Sequence, residues 1–507
     1  MSIPPDSPAQ TITPVWPETD REITVRAGDD LQAQTDALPP NAGLVVDAGA
    51  KFPPLHIPKW AAVGWRRIRS SRDGVPFIVE TPNGGSALDC AMGARQLAIQ
   101  DIQASVAPTV STMFFLAYFG IAFDVPVSAI EFPEDIHLFR PKILGNPTLD
   151  MQCGLVLDGK RMTVTGANIS EIHHRGADSQ AIGHRQGPGP FLVTDSFLEA
   201  AGENVMFGGQ DPRVPNVVPG DAVYLRNTFS KRPSWNPADP TYAGIRWVLK
   251  AYVELKNCQR VVFRGNTVKG NRAGWPAWVV DAFNQDGTAP WSVVQDALFE
   301  YNASEDTIAF VQLWAGTANI RRVLFRQNLA KVVDPGPGGN AYLRGSVGYI
   351  STSAPYIAED VAFEDNVIPG ISGAGLTVGQ FANMPRLTMN RNIWPQGPAC
   401  EGFWNWYESP GSFVQITAPG YAADKNVMWG QTPAAVRYID SEFRRFLGAP
   451  AAGLNPDGTL TPESPLRAYG VGLDFAGLAA AMAPPTSATP PGAPASVRVT
   501  SAHFQEA

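Results

Sequence analysis

A six-residue register recurs through the second half of the chain: apolar, any residue, apolar, two variable residues, then asparagine. It reads VVFRGN at Val261–Asn266, ALFEYN ending at Asn302, VLFRQN at Asn328, VAFEDN at Asn366 and LTMNRN at Asn392. Successive asparagines are 26 to 38 residues apart, the spacing of a solenoid with one copy per coil and insertions in loops. Period-two alternation points Val261 and Phe263 inward and Val262 and Arg264 outward. Asparagine at a turn tolerates left-handed φ and bonds neighbouring backbone, so these side chains are expected to stack as an internal ladder, structural rather than catalytic. Such a chain lengthens by adding coils and needs no second core. Abundant Gly and Pro, few charges, and short bursts of Val, Phe, Trp and Thr agree with many short strands.

With a net charge of −8 and no basic block, the chain lacks the footprint of a nucleic-acid binder. No apolar run reaches the roughly 20 residues of a membrane span. The nearest, Met113 to Phe123, reads as a buried strand pair or core helix. Cys90, Cys153, Cys258 and Cys400 show no metal spacing and are expected to be reduced core residues. MSIPPDSPAQTITPVWPETD has neither a basic start nor an apolar stretch, so a Sec leader is not expected in the chain as written.

Residues 1–21 read as a Pro-rich arm, disordered or docked on a partner. Residues 22–430 read as the solenoid. Near 29–38, Asp29 or Asp30 can cap a short helix whose Leu31, Thr35 and Leu38 share one face, ended by Pro39 and Pro40. It would cover the open first coil, whose apolar cross-section and free edges need shielding. Insertions fall around Phe207 to Arg246 and after Asn328, where binding surfaces are commonly built. Past Trp429, residues 431–482 read as a C-terminal cap that includes a helical stretch, AVRYIDSEFRRFLG. Residues 483–507 read as a Pro-rich linker and tail.

Two stretches carry candidate chemistry. In IRWVLKAYVELKNCQRV, alternation puts Trp247, Leu249, Ala251, Val253 and Leu255 on one face and Lys250, Tyr252, Glu254 and Lys256 on the other. Lys250 or Lys256 could serve as a base beside Tyr252 and Glu254. The competing reading is a solvated face of paired charges. The stretch Ile172–Gly209 gathers His173, His174, Arg175, Asp178, His184 and Arg185 beside Glu199 and Glu203. His174 is a candidate acid or base, Asp178 with Glu203 a candidate hydrolytic pair, and Arg175 and Arg185 candidate substrate contacts. Against this, Glu203 and Asn204 could simply bond turn backbone. Adjacent His173 and His174 point to opposite faces, so no metal site is expected. Among the aromatics, Trp235 and Trp275 lie in loop-like contexts and are the candidates for sugar stacking. Trp404, Trp406 and Tyr407 default to coil packing.

GADSQAI, and GPGPF followed by LEAAGENVMFGG, resemble a bacterial and phage family of right-handed parallel β-helix proteins of the pectate-lyase-like superfamily. So do GDDLQAQTDAL, WVLKAYVELKNCQRVVFRGN and NQDGTAPWSVVQDALFEYN. The resemblance implies an all-β fold: a right-handed single-stranded parallel β-helix with a short N-terminal capping helix and an irregular C-terminal cap. That superfamily includes polysaccharide lyases, glycoside hydrolases and phage tailspikes. Its lyases take the proton beside a uronate carboxylate with an outward basic side chain, commonly with Ca²⁺ or Arg neutralising that carboxylate. No catalytic set aligns residue by residue. The first expectation is therefore a phage or prophage tail-associated protein that recognises, and in an active form degrades, host surface polysaccharide. A virion or extracellular location follows, with tail proteins met through the N-terminal arm or C-terminal tail. Tailspikes are commonly trimers, though no coiled coil here imposes one. The alternatives are a secreted lyase on an acidic glycan, with Ca²⁺ the candidate cofactor in that case, and a structural virion protein without catalysis.

Overall fold

The computed structural model describes residues 2–484 except 111, 123, 271–274, 333–345, 370–373, 379–383, 397–418, 431–442 and 448–451. Three long parallel sheets run its length, with 14, 11 and 10 strands. Each coil contributes a strand to each sheet in turn, so neighbours within a sheet come from successive coils. This is a parallel β-helix. The 14-stranded sheet is called the long sheet. The 11-stranded sheet, which carries the candidate site, is called the site sheet.

The asparagine register is the spine of the long sheet's turns. Asn266, Asn302, Asn328, Asn366 and Asn392 are all fully buried, and Asn227 and Asn426 extend the column at its ends. Each Oδ1 accepts from the main-chain N–H and side-chain amide of the preceding rung, at 3.0 Å in both cases for Asn302. Each Nδ2 also donates to a carbonyl inside the coil, as Asn302 does to Phe263 at 2.9 Å. Inward of the ladder, Tyr224, Phe263, Phe299, Phe325 and Phe363 stack one per coil, with ring centroids 4.5 to 5.2 Å apart. The inward apolar positions join one continuous core along the axis.

Asp30 caps the helix Leu31–Asp36 by accepting from Ala33 N at 2.9 Å. Leu31 and Leu38 enter the main core there and shield the first coils. The run from Met113 forms one strand, Thr112–Phe119. Cys90, Cys153 and Cys258 are buried free thiols, and Cys400 lies outside the described residues. No described helix is long and apolar enough to cross a membrane.

Two expectations about the ends are corrected. Phe443–Leu447, expected to be helical, is a strand paired with Asn426–Gly430, so coil structure continues past Trp429. Pairing along its whole length with Asn426–Gly430 outweighs the local helical pattern. Helices Pro465–Tyr469 and Phe475–Met482 pack Leu466 and Leu478 against Leu329, Val367, Ile393 and Val427, along the outside of the last coils.

The arm is ordered and lies in extended form along the outer face of its own long sheet. Main-chain N–H groups of Ile3, Asp6 and Ala9 donate to Asp360, Asp296 and Asp221 at 2.8, 2.9 and 2.6 Å. Those aspartates sit two strands apart in the sheet, about 9.6 Å at ordinary strand spacing. Three extended residues, at about 3.1–3.3 Å each, cover that distance. Pro5, Pro8, Pro14 and Pro17 are buried at the same period of three. Ile12 packs on an outward apolar row of Leu192, Val223, Val262, Leu298, Leu324 and Ala362. Val262 is thus outward, as its alternation requires, yet covered. Deleting residues 2–18 re-exposes that row. The expected result is stronger binding of an apolar dye and a loss of roughly 2–4 kcal/mol in urea unfolding, from the apolar area returned to water.

Candidate functional site

The site sheet's outer face carries a groove of about 440 Å³ lined by Phe115, Gln152, Gln180, Arg185, Lys256 and Gln285, among others. Its walls come from segments where the regular coil is interrupted. The chain from Gly208 to Pro219, which leaves the strand Glu203–Phe207, contributes Gly209 and Gln210, and the loop after the strand Trp278–Ala282 contributes Gln285. A larger hollow, about 740 Å³, lies where the arm meets the first coils, but Arg67 and Arg69 there are committed to Glu22.

Beside the groove, three carboxylates converge on one ammonium. Lys250 Nζ is 2.6 Å from Glu203 Oε1, 2.9 Å from Asp178 Oδ2 and 3.1 Å from Glu254 Oε2. Strand register explains the meeting: Glu203 opens a strand opposite Gln180, Asp178 precedes Gln180, and Glu254 stands opposite Met206 one coil on. Gln180 donates to the other Glu203 oxygen at 2.8 Å. Lys256 lies 3.5 Å from Glu254, at the groove. Arg185 also faces the groove, its guanidinium 5.0 Å from the Phe115 ring centre. Trp275 stands near the cluster, 5.5 Å from Lys250 Nζ.

The electrostatics separate these groups. Burial alone would lower the pKa of Lys250, but Glu203, Glu254 and Asp178 reverse this and hold it well above the usual range. Burial pushes Glu203 up, and the charge of Glu254 adds to the rise. Glu254 goes the other way: burial opposes its charge, but Lys250 and Lys256 outweigh it and hold it low. One coil on, burial and then Glu254 push Asp281 up to about 8. Lys250 is therefore a fixed cation, a poor fit to the expected role of base.

Several expected site residues lie elsewhere. Tyr252 was expected outward beside Lys250, but it is fully buried in the main core. Strand pairing starts only at Val253, and the alternation does not extend back across the preceding segment. Trp247 and Leu249 share a face, as expected, yet pack with Ala201 and Trp235 outside the main core. Trp235 is thus 3% exposed and unable to stack on a sugar. His173 is buried against Trp247, ring centres 3.7 Å apart. His184 points into the core, bonded to Tyr224 and the Leu157 carbonyl, and burial lowers it to about 3. His174 uses Nδ1 to accept from the main chain at Gly176 and Ala177, and Arg175 is paired with Asp150. Glu199 binds Arg232. Trp404, Trp406 and Tyr407 lie outside the described residues. Phe115, Gln152, Gln180 and Gln285 were missed; they are outward residues of strands and loops that become neighbours only when coils stack.

The residues present do not fit Ca²⁺, which requires six to eight oxygens around an open centre. The point at which Asp178, Glu203 and Glu254 converge is filled by the Lys250 ammonium. Among the described residues, no other arrangement of acidic, His and Cys side chains is suited to a metal ion.

No family model and no curated protein matches the sequence. Solved structures do match. An arginine-to-alanine variant of the PL6 family alginate lyase AlyGC superposes with TM-score 0.50 and 11% identity, over 90% of this chain and 57% of that one. A mannuronic acid specific family 6 polysaccharide lyase from human gut microbiota gives 0.47 and 12%, over 84% and 91%. The catalytic unit of a GH87 α-1,3-glucanase from Streptomyces thermodiastaticus gives 0.44 and 10%, over 77% and 64%. This chain therefore spans little more than half of AlyGC. At these identities the likeness is one of fold, and with the strand order above it defines the class: a right-handed parallel β-helix.

Proposed function

We propose that the protein binds an acidic polysaccharide in the site-sheet groove and cleaves it by β-elimination. The observation that carries this reading is the pairing of Arg185 and Lys256 at one groove, beside a cation that is already neutralised. Arg185 offers a planar fork to a uronate carboxylate. Lys256 is the proposed base: its ammonium first gives a proton to solvent, and the free amine then takes the proton on the carbon next to that carboxylate. The electron pair becomes a carbon–carbon double bond, the glycosidic C–O bond breaks, and the departing oxygen takes a proton from solvent. Lys250 holds Asp178, Glu203 and Glu254 in place and offsets part of their charge beside an anionic chain.

Hydrolysis by Asp178 and Glu203 has less support. Both bind the same Lys250 nitrogen, and Glu203 is fully buried, leaving no room between them for sugar and water. The setting proposed from the sequence is a tail-associated virion protein meeting host glycan. Light scattering tests the trimer, and the neighbouring genes test the virion setting.

The deciding assay incubates the protein with uronate polymers and follows unsaturated product and reducing ends separately. Unsaturated product is expected, with a rate loss of about 10²–10⁴ in Lys256→Ala, the usual worth of a general base. Reducing ends without unsaturation would overturn the elimination, and binding without either product would make the groove a recognition site.

A further inference from the structure

Beneath the site is a lysine that the mechanism above does not use. Lys231 is 1% exposed, and its Nζ touches no carboxylate among its hydrogen bonds. It donates instead to three consecutive carbonyls, Ala200 at 3.0 Å, Ala201 at 2.9 Å, and Gly202. The Tyr252 ring lies 5.3 Å from the ammonium. A buried ammonium is costly unless its donors are satisfied. This one meets the carbonyls of a turn whose oxygens face inward, where no strand pairing satisfies them.

That turn connects two parts of the site. Glu203 follows it directly. Lys250 is fastened to it from the other side, its main-chain N–H donating to Ala201 O at 3.0 Å. Ala201 O thus accepts from Lys231 and from Lys250 together. The turn has little freedom otherwise: Gly202 donates to Ser179 Oγ at 3.0 Å, and a Cβ there would meet Ser179 O at 2.3 Å. Ala201 also packs on Trp235 and Trp247. Moving these carbonyls therefore moves the backbone that sets where the Glu203 carboxylate meets the Lys250 ammonium.

We propose that Lys231 is a positioning residue of the site: by gathering the carbonyls of Ala200, Ala201 and Gly202 on one ammonium, it fixes the geometry in which Glu203 and Lys250 pair. The proposal deepens the function proposed above in that the paired site serves that reaction, but its geometric content stands without it. Lys231 acts through the turn and has no contact with substrate.

The test is hydrogen exchange on the full chain, comparing Lys231→Met with the unaltered protein. Met keeps the length and apolar stem of the side chain and removes the donors. The Lys250 amide reports the turn directly, because its acceptor is Ala201 O. Exchange is expected to rise at least tenfold in peptides covering 198–206 and 247–256 and to stay within twofold in peptides covering 319–328, across the ladder. Uniform acceleration everywhere, or none in the first two, overturns the proposal. Should Lys231→Met not fold, Lys231→Arg retains the charge with a different donor geometry, and the same local pattern decides.

Turnover gives a second readout if the elimination holds. Lys231→Met is expected to lower kcat at least tenfold with KM within twofold. A rise in KM with kcat unchanged would overturn the positioning role. Absence of activity in the unaltered protein would refute the proposed reaction, while the exchange pattern would still decide the role of Lys231.

Discussion

Lys250→Met is expected to destabilise the fold by about 3–5 kcal/mol at pH 7, the range for stripping one partner from a buried ion pair. The ammonium is the shared partner of Glu203 and Glu254, both almost wholly buried, while Asp178 is 40% exposed and contributes little. Without Lys250, two carboxylates remain in a dry setting, with Lys256 3.5 Å from Glu254 and the buried Lys231 bonded to the turn before Glu203. The pH dependence identifies the cause. With Lys250 present, Glu254 is held low, so its stabilisation is full above the usual Glu range and fades as pH falls. With Lys250 gone, burial raises both carboxyls in the folded state above their unfolded values. The folded chain then binds more protons than the unfolded one, and stability falls as pH rises through that window. The deficit of Lys250→Met should thus be largest at pH 7 and at most about half as large at pH 4.5. Urea unfolding at both values measures it. Adding Glu203→Gln should return part of the loss, and a deficit independent of pH would refute the account.

A comparable loss is expected at Asn302→Ala, with no pH dependence. Removing this side chain leaves two buried groups without partners, the Asn266 N–H and one Asn266 amide hydrogen, and takes a side-chain donor from the Phe263 carbonyl. At about 1–3 kcal/mol for each unsatisfied group, with some relaxation, the cost is about 2–5 kcal/mol. Asn302→Asp should be no milder, since it keeps the acceptors but turns oxygens toward the Phe263 carbonyl and Asn328 Oδ1. The urea midpoint should drop with its slope unchanged, and a change under about 1 kcal/mol would show that rungs act independently of the column.

The solenoid was legible because its signals repeat. VVFRGN and its four echoes state the inward apolar residue and the ladder asparagine in one phrase, and the structure keeps both, the apolar residue being phenylalanine in four copies and Met389 in the fifth. The capping helix was legible for a local reason: Asp30, Leu31, Thr35 and Leu38 carry cap and face within nine residues. The site was legible only in part. Lys250, Glu254 and Lys256 lie within seven residues and could be read together. Their link to Asp178 and Glu203 depends on coil stacking, and loops of varying length hide which residues face each other. Tyr252 and Trp235 were misplaced for one reason: where the chain leaves the sheet, neither alternation nor loop position predicts exposure. Lys231 gave no signal at all, because its partners are main-chain carbonyls that no side-chain pattern announces.

The arm places a condition on how proteins of this shape can change size. Three arm residues match two coils, and the aspartates that hold it recur at every second strand, with Arg260 and Arg322 in between and Arg386 one coil beyond. Inserting or losing a single coil beneath the arm would bring an arginine to a place where a main-chain N–H needs an acceptor, whereas a pair of coils with three added residues keeps every contact. The N-terminal segment thus acts as a gauge with a two-coil graduation, and lineages that keep it are expected to lengthen or shorten by even numbers of turns.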